Sequence, residues 1–153
     1  MSYWITDECN GCTACARICP VGAISGERKS LHKIEGALCI DCGACGRVCP
    51  EEAVKDNLDA KCARINKLSL WPKPVFNEKL CASCHICVDS CPTHCLSMRM
   101  NGRKDKHERP FLAAAKSCIS CRFCQEDCPV SAISMAVPRQ EAQTEKVSAS
   151  KES

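Results

Sequence analysis

From Cys9 to Cys15 every third residue is a cysteine, and a fourth follows at Cys19, directly before Pro20. The stretch reads "CNGCTACARICPVGAIS", and its C-x2-C-x2-C-x3-C-P spacing returns in "CIDCGACGRVCPEEAVK", "CASCHICVDSCPTHCLS" and "CISCRFCQEDCPVSAIS". The later runs supply Cys39, Cys42, Cys45 and Cys49, then Cys81, Cys84, Cys87 and Cys91, then Cys118, Cys121, Cys124 and Cys128. After each proline comes a small residue and an aliphatic one: Ala23-Ile24, Ala53-Val54, Cys95-Leu96 and Ala132-Ile133. Aromatic residues are only 4% of the chain, too few for an ordinary core of bulky side chains. The thiols must therefore converge on something that fills the interior in their place.

Three chemistries compete for such cysteines. Disulfides between thiols so close in sequence would close tiny, strained loops that constrain little. They would also need an oxidising compartment. The opening "MSYWITDECN" has no basic start, apolar stretch or cleavage site, and no segment approaches the ~18 apolar residues of a membrane span. A reduced, cytoplasmic setting is expected. Zinc sites of four cysteines use two C-x2-4-C pairs separated by a longer loop. Three cysteines at strict three-residue intervals instead curl one loop around a compact iron–sulfur cluster, and the cysteine before proline is carried away from it. Sixteen of the 18 cysteines obey this rule, so four [4Fe–4S] clusters are expected.

The runs fall into pairs. The first two begin 30 residues apart and the last two 37 apart, with 42 between the second and third. Two tandem modules are expected over 1–57 and 75–137, joined by a linker over 58–74 and followed by a polar tail over 138–153. Leu58, Cys62 and Ile65 share one helical face, which predicts a short amphipathic helix in the linker. Trp71-Pro72-Lys73-Pro74 then predicts an extended exit. "SYWIT", "PVF" and "KSLHKIE" read as short strands. Each Cys–Pro pair is expected to open a short helix, proline suiting the first helical position.

With these motifs in view, residues 1–57 resemble a bacterial two-cluster ferredoxin, and 75–137 resemble a second with a longer internal loop. The resemblance implies an α+β fold of two small, loop-rich, ferredoxin-like modules built around four clusters. Its cross-over wiring would place one cluster on Cys9, Cys12, Cys15 and Cys49, and the next on Cys39, Cys42, Cys45 and Cys19. The third would take Cys81, Cys84, Cys87 and Cys128, and the fourth Cys118, Cys121, Cys124 and Cys91. Four-cluster subunits of molybdenum enzymes are also similar, and there the pairing is nested: run one with four and two with three. The spacing of the first two runs favours adjacent pairing.

The arrangement further resembles the small four-cluster chain of tungsten aldehyde oxidoreductase complexes. That implies a tungstopterin partner that oxidises aldehydes, a flavin partner that passes electrons to NAD, and self-association within the complex. Hydrogenase, formate dehydrogenase and benzoyl-CoA reductase assemblies are the rival settings, and a free polyferredoxin is the alternative to a subunit. Two-cluster carriers are strongly acidic, whereas this chain has a net charge of +3. No phosphate-binding glycine loop, nucleotide fingerprint or nucleophile–base constellation appears. No recognition helix or dense basic stripe points to nucleic acid. The chain is expected to move electrons without a catalytic site of its own.

Several residues stand outside this frame. Cys95 replaces the alanine of the other repeats and, with Cys62, reads as a small buried residue. His85 and His94 flank the third run and read as bystanders. Arg17, Arg47 and Arg122 lie inside cysteine loops, where a nearby cation would raise a reduction potential. The insert "NGRKDKHERP", with Arg103, Lys104, Lys106 and Arg109, reads as a solvated loop that could dock an acidic partner.

Overall fold

The computed structural model describes residues 2–104 and 106–138. The tail expected beyond Pro138 lies outside the described residues. Among the described residues, four two-stranded antiparallel sheets and four α-helices of one turn frame the fold. In the first half, β1 (Trp4–Ile5) pairs with β4 (Val54–Lys55), and β2 (Ile24–Ser25) pairs with β3 (Lys33–Ile34). Alternation along these strands sends Ile5, Ile24, Ile34 and Val54 inward, around Cys15, Cys45 and Cys49. Trp4 and Lys55 face outward from β1–β4, with the Lys55 ammonium 5.1 Å from the indole centroid.

The second half repeats the plan with longer strands. β5 (Lys73–Phe76) pairs with β8 (Ile133–Ala136), and β6 (Leu96–Met100) pairs with β7 (Glu108–Leu112). The insert thus extends a hairpin and does not hang as a bare loop. Arg109, expected to be solvated, donates from Nη1 to the Cys81 carbonyl at 3.0 Å and to Ser83 Oγ at 2.9 Å, bracing the third cysteine loop. Arg103, Lys104 and Lys106 are exposed.

The helices are α1 (Ala14–Ile18), α2 (Ala44–Val48), α3 (Ile86–Asp89) and α4 (Phe123–Glu126). They begin one residue before the third cysteine of each run and do not start at the Cys–Pro pair, contrary to the sequence expectation. The residue before a proline is pushed out of the helical region. Cys19 and Cys49 accordingly take extended angles and end α1 and α2. Helices this short are unstable alone and persist only through what they pack on.

The linker also departs from its expected helix. Asp56 Oδ1 accepts the Leu58 and Ala60 N–H groups, making a turn that leaves Leu58 exposed. The Cys62 N–H then donates to the Val54 carbonyl at 2.9 Å, so the chain runs back beside β4. Here the turn-forming aspartate overrides a weak helical period. A 3-10 turn over Leu68–Leu70 leads to Trp71, which is 1% exposed. Trp71 packs with Ala44 of the first module and Ile119 of the second, so the linker is a joint and not a loose tether.

Candidate iron–sulfur centres

Among the described residues, four cavities are each lined by four run cysteines. The first holds Cys9, Cys12, Cys15 and Cys49, and the second Cys19, Cys39, Cys42 and Cys45. The third holds Cys81, Cys84, Cys87 and Cys128, and the fourth Cys91, Cys118, Cys121 and Cys124. In chain order their volumes, mouths included, are about 290, 330, 370 and 300 Å³. In each module the first three cysteines of one run thus meet the fourth cysteine of the other.

The local backbone explains the convergence. Three positions in every run take positive φ. These are the residue just before the second cysteine (Gly11, Asp41, Ser83, Ser120), the one just after it (Thr13, Gly43, His85, Arg122), and the third after the last cysteine (Gly22, Glu52, His94, Ser131). Left-handed residues curl a loop tightly and turn its N–H groups inward, making a concavity suited to an anionic group. The third of these turns has a direct product. The N–H groups of Ala23, Ala53, Cys95 and Ala132 donate to Cys19, Cys49, Cys91 and Cys128 Sγ at 3.3, 3.4, 3.4 and 3.3 Å. Each fourth cysteine therefore has a built-in donor that favours its thiolate.

The donor set fits an iron–sulfur cluster. A single zinc would need four sulfurs at ~2.3 Å. Among the described residues no group of three or more His, Cys, Asp or Glu is gathered closely enough for one ion. The cysteines ring a larger space, as the thiolates of a cluster must. Burial pushes the Cys15 thiol up to about 11, and the Cys45 and Cys124 thiols up to about 12. Without metal these groups hold their protons at neutral pH, so ligation has to release them.

The remaining singled-out residues divide. Cys95 is 2% exposed and its Sγ lies 3.4 Å from Cys91 Sγ. A hydrogen bond to Cys118 raises the Cys95 thiol and brings Cys118 down to about 6. Cys62 lines none of the four cavities and packs against the first module's core. His85 faces Glu108 at 3.1 Å on the surface, and His94 is exposed. Arg17 and Arg122 are exposed, whereas Arg47 is drawn into the joint between the modules. Burial lowers the Arg47 pKa, but an arginine still keeps its charge.

One residue passed over in the sequence lines the first cavity. His32 is 1% exposed, with Nδ1 3.1 Å from the Ser30 carbonyl and 4.0 Å from Cys9 Sγ. A carbonyl only accepts, so Nδ1 carries the proton. Nothing in "KSLHKIE" distinguishes this histidine from a solvated strand residue.

Residues 8–54 match one 4Fe-4S dicluster domain family and residues 80–132 match another. Among curated proteins, a ferredoxin-like protein in the nif region of Trichormus variabilis is 44% identical over 39 residues, 26% of this chain and 34% of that one. A ferredoxin of Butyribacterium methylotrophicum is 55% identical over 38 residues, 25% of this chain and 66% of its own length. Ferredoxin-2 of Chlorobaculum tepidum is 46% identical over 41 residues, 27% and 64% respectively. The matches thus span about a third of the first relative's length and just under two thirds of the others'. Among solved structures, a chain of the formate dehydrogenase–heterodisulfide reductase–formylmethanofuran dehydrogenase complex from Methanospirillum hungatei aligns at 21% identity. The alignment covers 89% of this chain and 56% of that one, with a TM-score of 0.36. No helix among the described residues is long and apolar enough to cross a membrane. The two matched segments contain all sixteen run cysteines: the chain carries two 4Fe-4S dicluster domains in tandem.

Proposed function

We propose that the chain is the electron-wiring subunit of a multi-subunit oxidoreductase in the cytoplasm, holding four [4Fe–4S] clusters in adjacent pairs. The observation that carries the ligand assignment is the three-plus-one lining of each cavity. Cys9, Cys12, Cys15 and Cys49 ligate the first cluster, and Cys39, Cys42, Cys45 and Cys19 the second. Cys81, Cys84, Cys87 and Cys128 ligate the third, and Cys118, Cys121, Cys124 and Cys91 the fourth. When bound, each cluster supplies a site for one electron at low potential. The modules correspond to 1–57 and 75–137, joined by 58–74.

A subunit is favoured over a free carrier because four sites exceed what a one-electron shuttle needs, and because the chain is slightly basic. A tungstopterin aldehyde-oxidising chain is the proposed catalytic partner, with a flavin chain as acceptor. This rests on the arrangement of the runs. The free polyferredoxin reading draws on the ferredoxin relatives. Anaerobic purification of the native protein tests both parts. About sixteen iron and sixteen sulfide per chain are expected, with stoichiometric tungsten and flavin in co-purifying chains. Zinc without sulfide would end the ligand assignment. A lone chain carrying its full iron would favour the free carrier.

A further inference from the structure

The joint between the modules has a chemistry of its own. Arg47, at the end of the second cysteine loop, donates from Nη1 to the Cys42 carbonyl at 3.1 Å and to the Ile119 carbonyl at 2.9 Å. Its Nη2 donates to the Ser120 carbonyl at 2.9 Å. Ile119 and Ser120 lie between Cys118 and Cys121, inside the fourth cysteine loop. Trp71 lies beneath the guanidinium, 5.6 Å from its centroid, and anchors its own Nε1–H on the Ile65 carbonyl at 3.1 Å. Cys42 and Cys121 both pack against the apolar cluster of Ala44, Trp71 and Ile119. Lys73 Nζ donates to the Cys118 carbonyl at 2.8 Å, and the Ser120 hydroxyl donates to the Pro72 carbonyl. Cys42 and Ala44 line the second cavity and Ile119 and Cys121 the fourth, whereas no residue of the joint lines the first or the third.

We propose that this joint is the electron bridge between the modules, set between the second and fourth cysteine sets, with Arg47 as its positioning residue. The order of sites along the route is then first, second, fourth, third, and differs from their order in the sequence. The inference rests on the ligand assignment above. The crossing step moves one electron from a reduced [4Fe–4S] cluster at one of these sites to an oxidised one at the other, with no bond made and no proton transferred. Arg47 joins two loops through three backbone carbonyls, and its charge lies between both sulfur sets. A partly buried cation favours the reduced, more negative state at each site. The first and third sites become the outer ends, and the third has the exposed Cys84 at its mouth.

The test uses the full-length, cluster-loaded chain. Single serine replacements label each site by altering its signal in electron paramagnetic resonance: Cys12→Ser, Cys42→Ser, Cys84→Ser and Cys121→Ser. In the fully reduced chain, the magnetic interaction between modules is expected to join the signals labelled by Cys42→Ser and Cys121→Ser. Arg47→Gln should keep all its iron and sulfide, and should lower the potentials of those same two sites while leaving the outer two unchanged. Arg47→Lys should restore the potentials in part. An intermodule interaction that involves the Cys12→Ser or Cys84→Ser signal would overturn the proposal. So would a potential shift confined to one module. If Arg47→Gln loses iron, the interaction measured with native Arg47 decides the matter alone. The ligand assignment fails separately, if Cys49→Ser alters the signal labelled by Cys84→Ser and not the one labelled by Cys12→Ser.

Discussion

Gly11 and Gly22 share almost the same backbone angle, φ +69° and +63°, in different surroundings. A β-carbon on Gly11 would stand 2.4 Å from Ser30 N and 2.6 Å from Lys29 N, whereas one on Gly22 would meet nothing within 4 Å. Replacing either with alanine incurs the left-handed penalty of ~1–2 kcal/mol. A stiffer unfolded chain offsets ~0.4–1 kcal/mol of it. Gly11→Ala adds an overpacking cost of ~1–3 kcal/mol, because backbone atoms cannot swing aside. The displaced segment is bonded to Gly11, the Lys29 N–H donating to its carbonyl at 3.0 Å, and it leads to His32 on the first cavity. The two variants should therefore differ by about 2 kcal/mol, or about 30-fold in the unfolding equilibrium. Cluster loss makes unfolding irreversible, so the assay is the rate of bleaching of the visible absorbance in anaerobic guanidinium with an iron chelator. Gly11→Ala is expected to bleach at least several-fold faster than Gly22→Ala, and the excess should fall on the first module. Equal rates, or a faster Gly22→Ala, would refute the close-approach argument and leave only the shared angle.

Removing the metal should collapse the fold cooperatively, because modules near 60 residues have marginal cores and here the core is largely sulfur. Circular dichroism and protease sensitivity would reveal it, and a metal-free chain with native protection would contradict it. Cys62→Ala and Cys95→Ala should leave the iron content unchanged; loss of about four irons from either would identify a missed ligand. Assembly should release protons and proceed further as pH rises from 7 to 9. The sign follows from Cys15, Cys45 and Cys124, whose thiols burial holds protonated up to about 11, 12 and 12. A pH-stat trace showing no acid release would count against ligation by these cysteines.

The cysteine ligand candidates and the strands entering each module were legible because their signals are local. The runs repeat without exception, and "SYWIT" and "PVF" carry β-branched and aromatic residues to where β1 and β5 form. The left-handed turns were not legible. Of the twelve residues at the three repeated positions only Gly11, Gly22 and Gly43 are glycine, and the others include Thr13, Glu52 and Arg122. Convergence of four thiols on one cavity overrides the preference of those residues for negative φ. The linker failed for a related reason: Leu58, Cys62 and Ile65 have helical spacing, but the Asp56 turn and pairing with β4 offer the backbone other partners. Arg47 could not be placed at all, since its second-module partners are carbonyls 72 and 73 residues away, which carry no side-chain signature.

The pairing of first strand with last has a consequence for how such a chain can lengthen. Because β1 lies beside β4 and β5 beside β8, each module is entered and left along one edge. A copy added there needs a short connection only, and neither copy has to open its sheet or reroute a cysteine to admit the other. Duplication of the coding segment would therefore yield a foldable product at the first attempt. What remains for later substitution is the seam, where one arginine and one tryptophan bind the neighbours together.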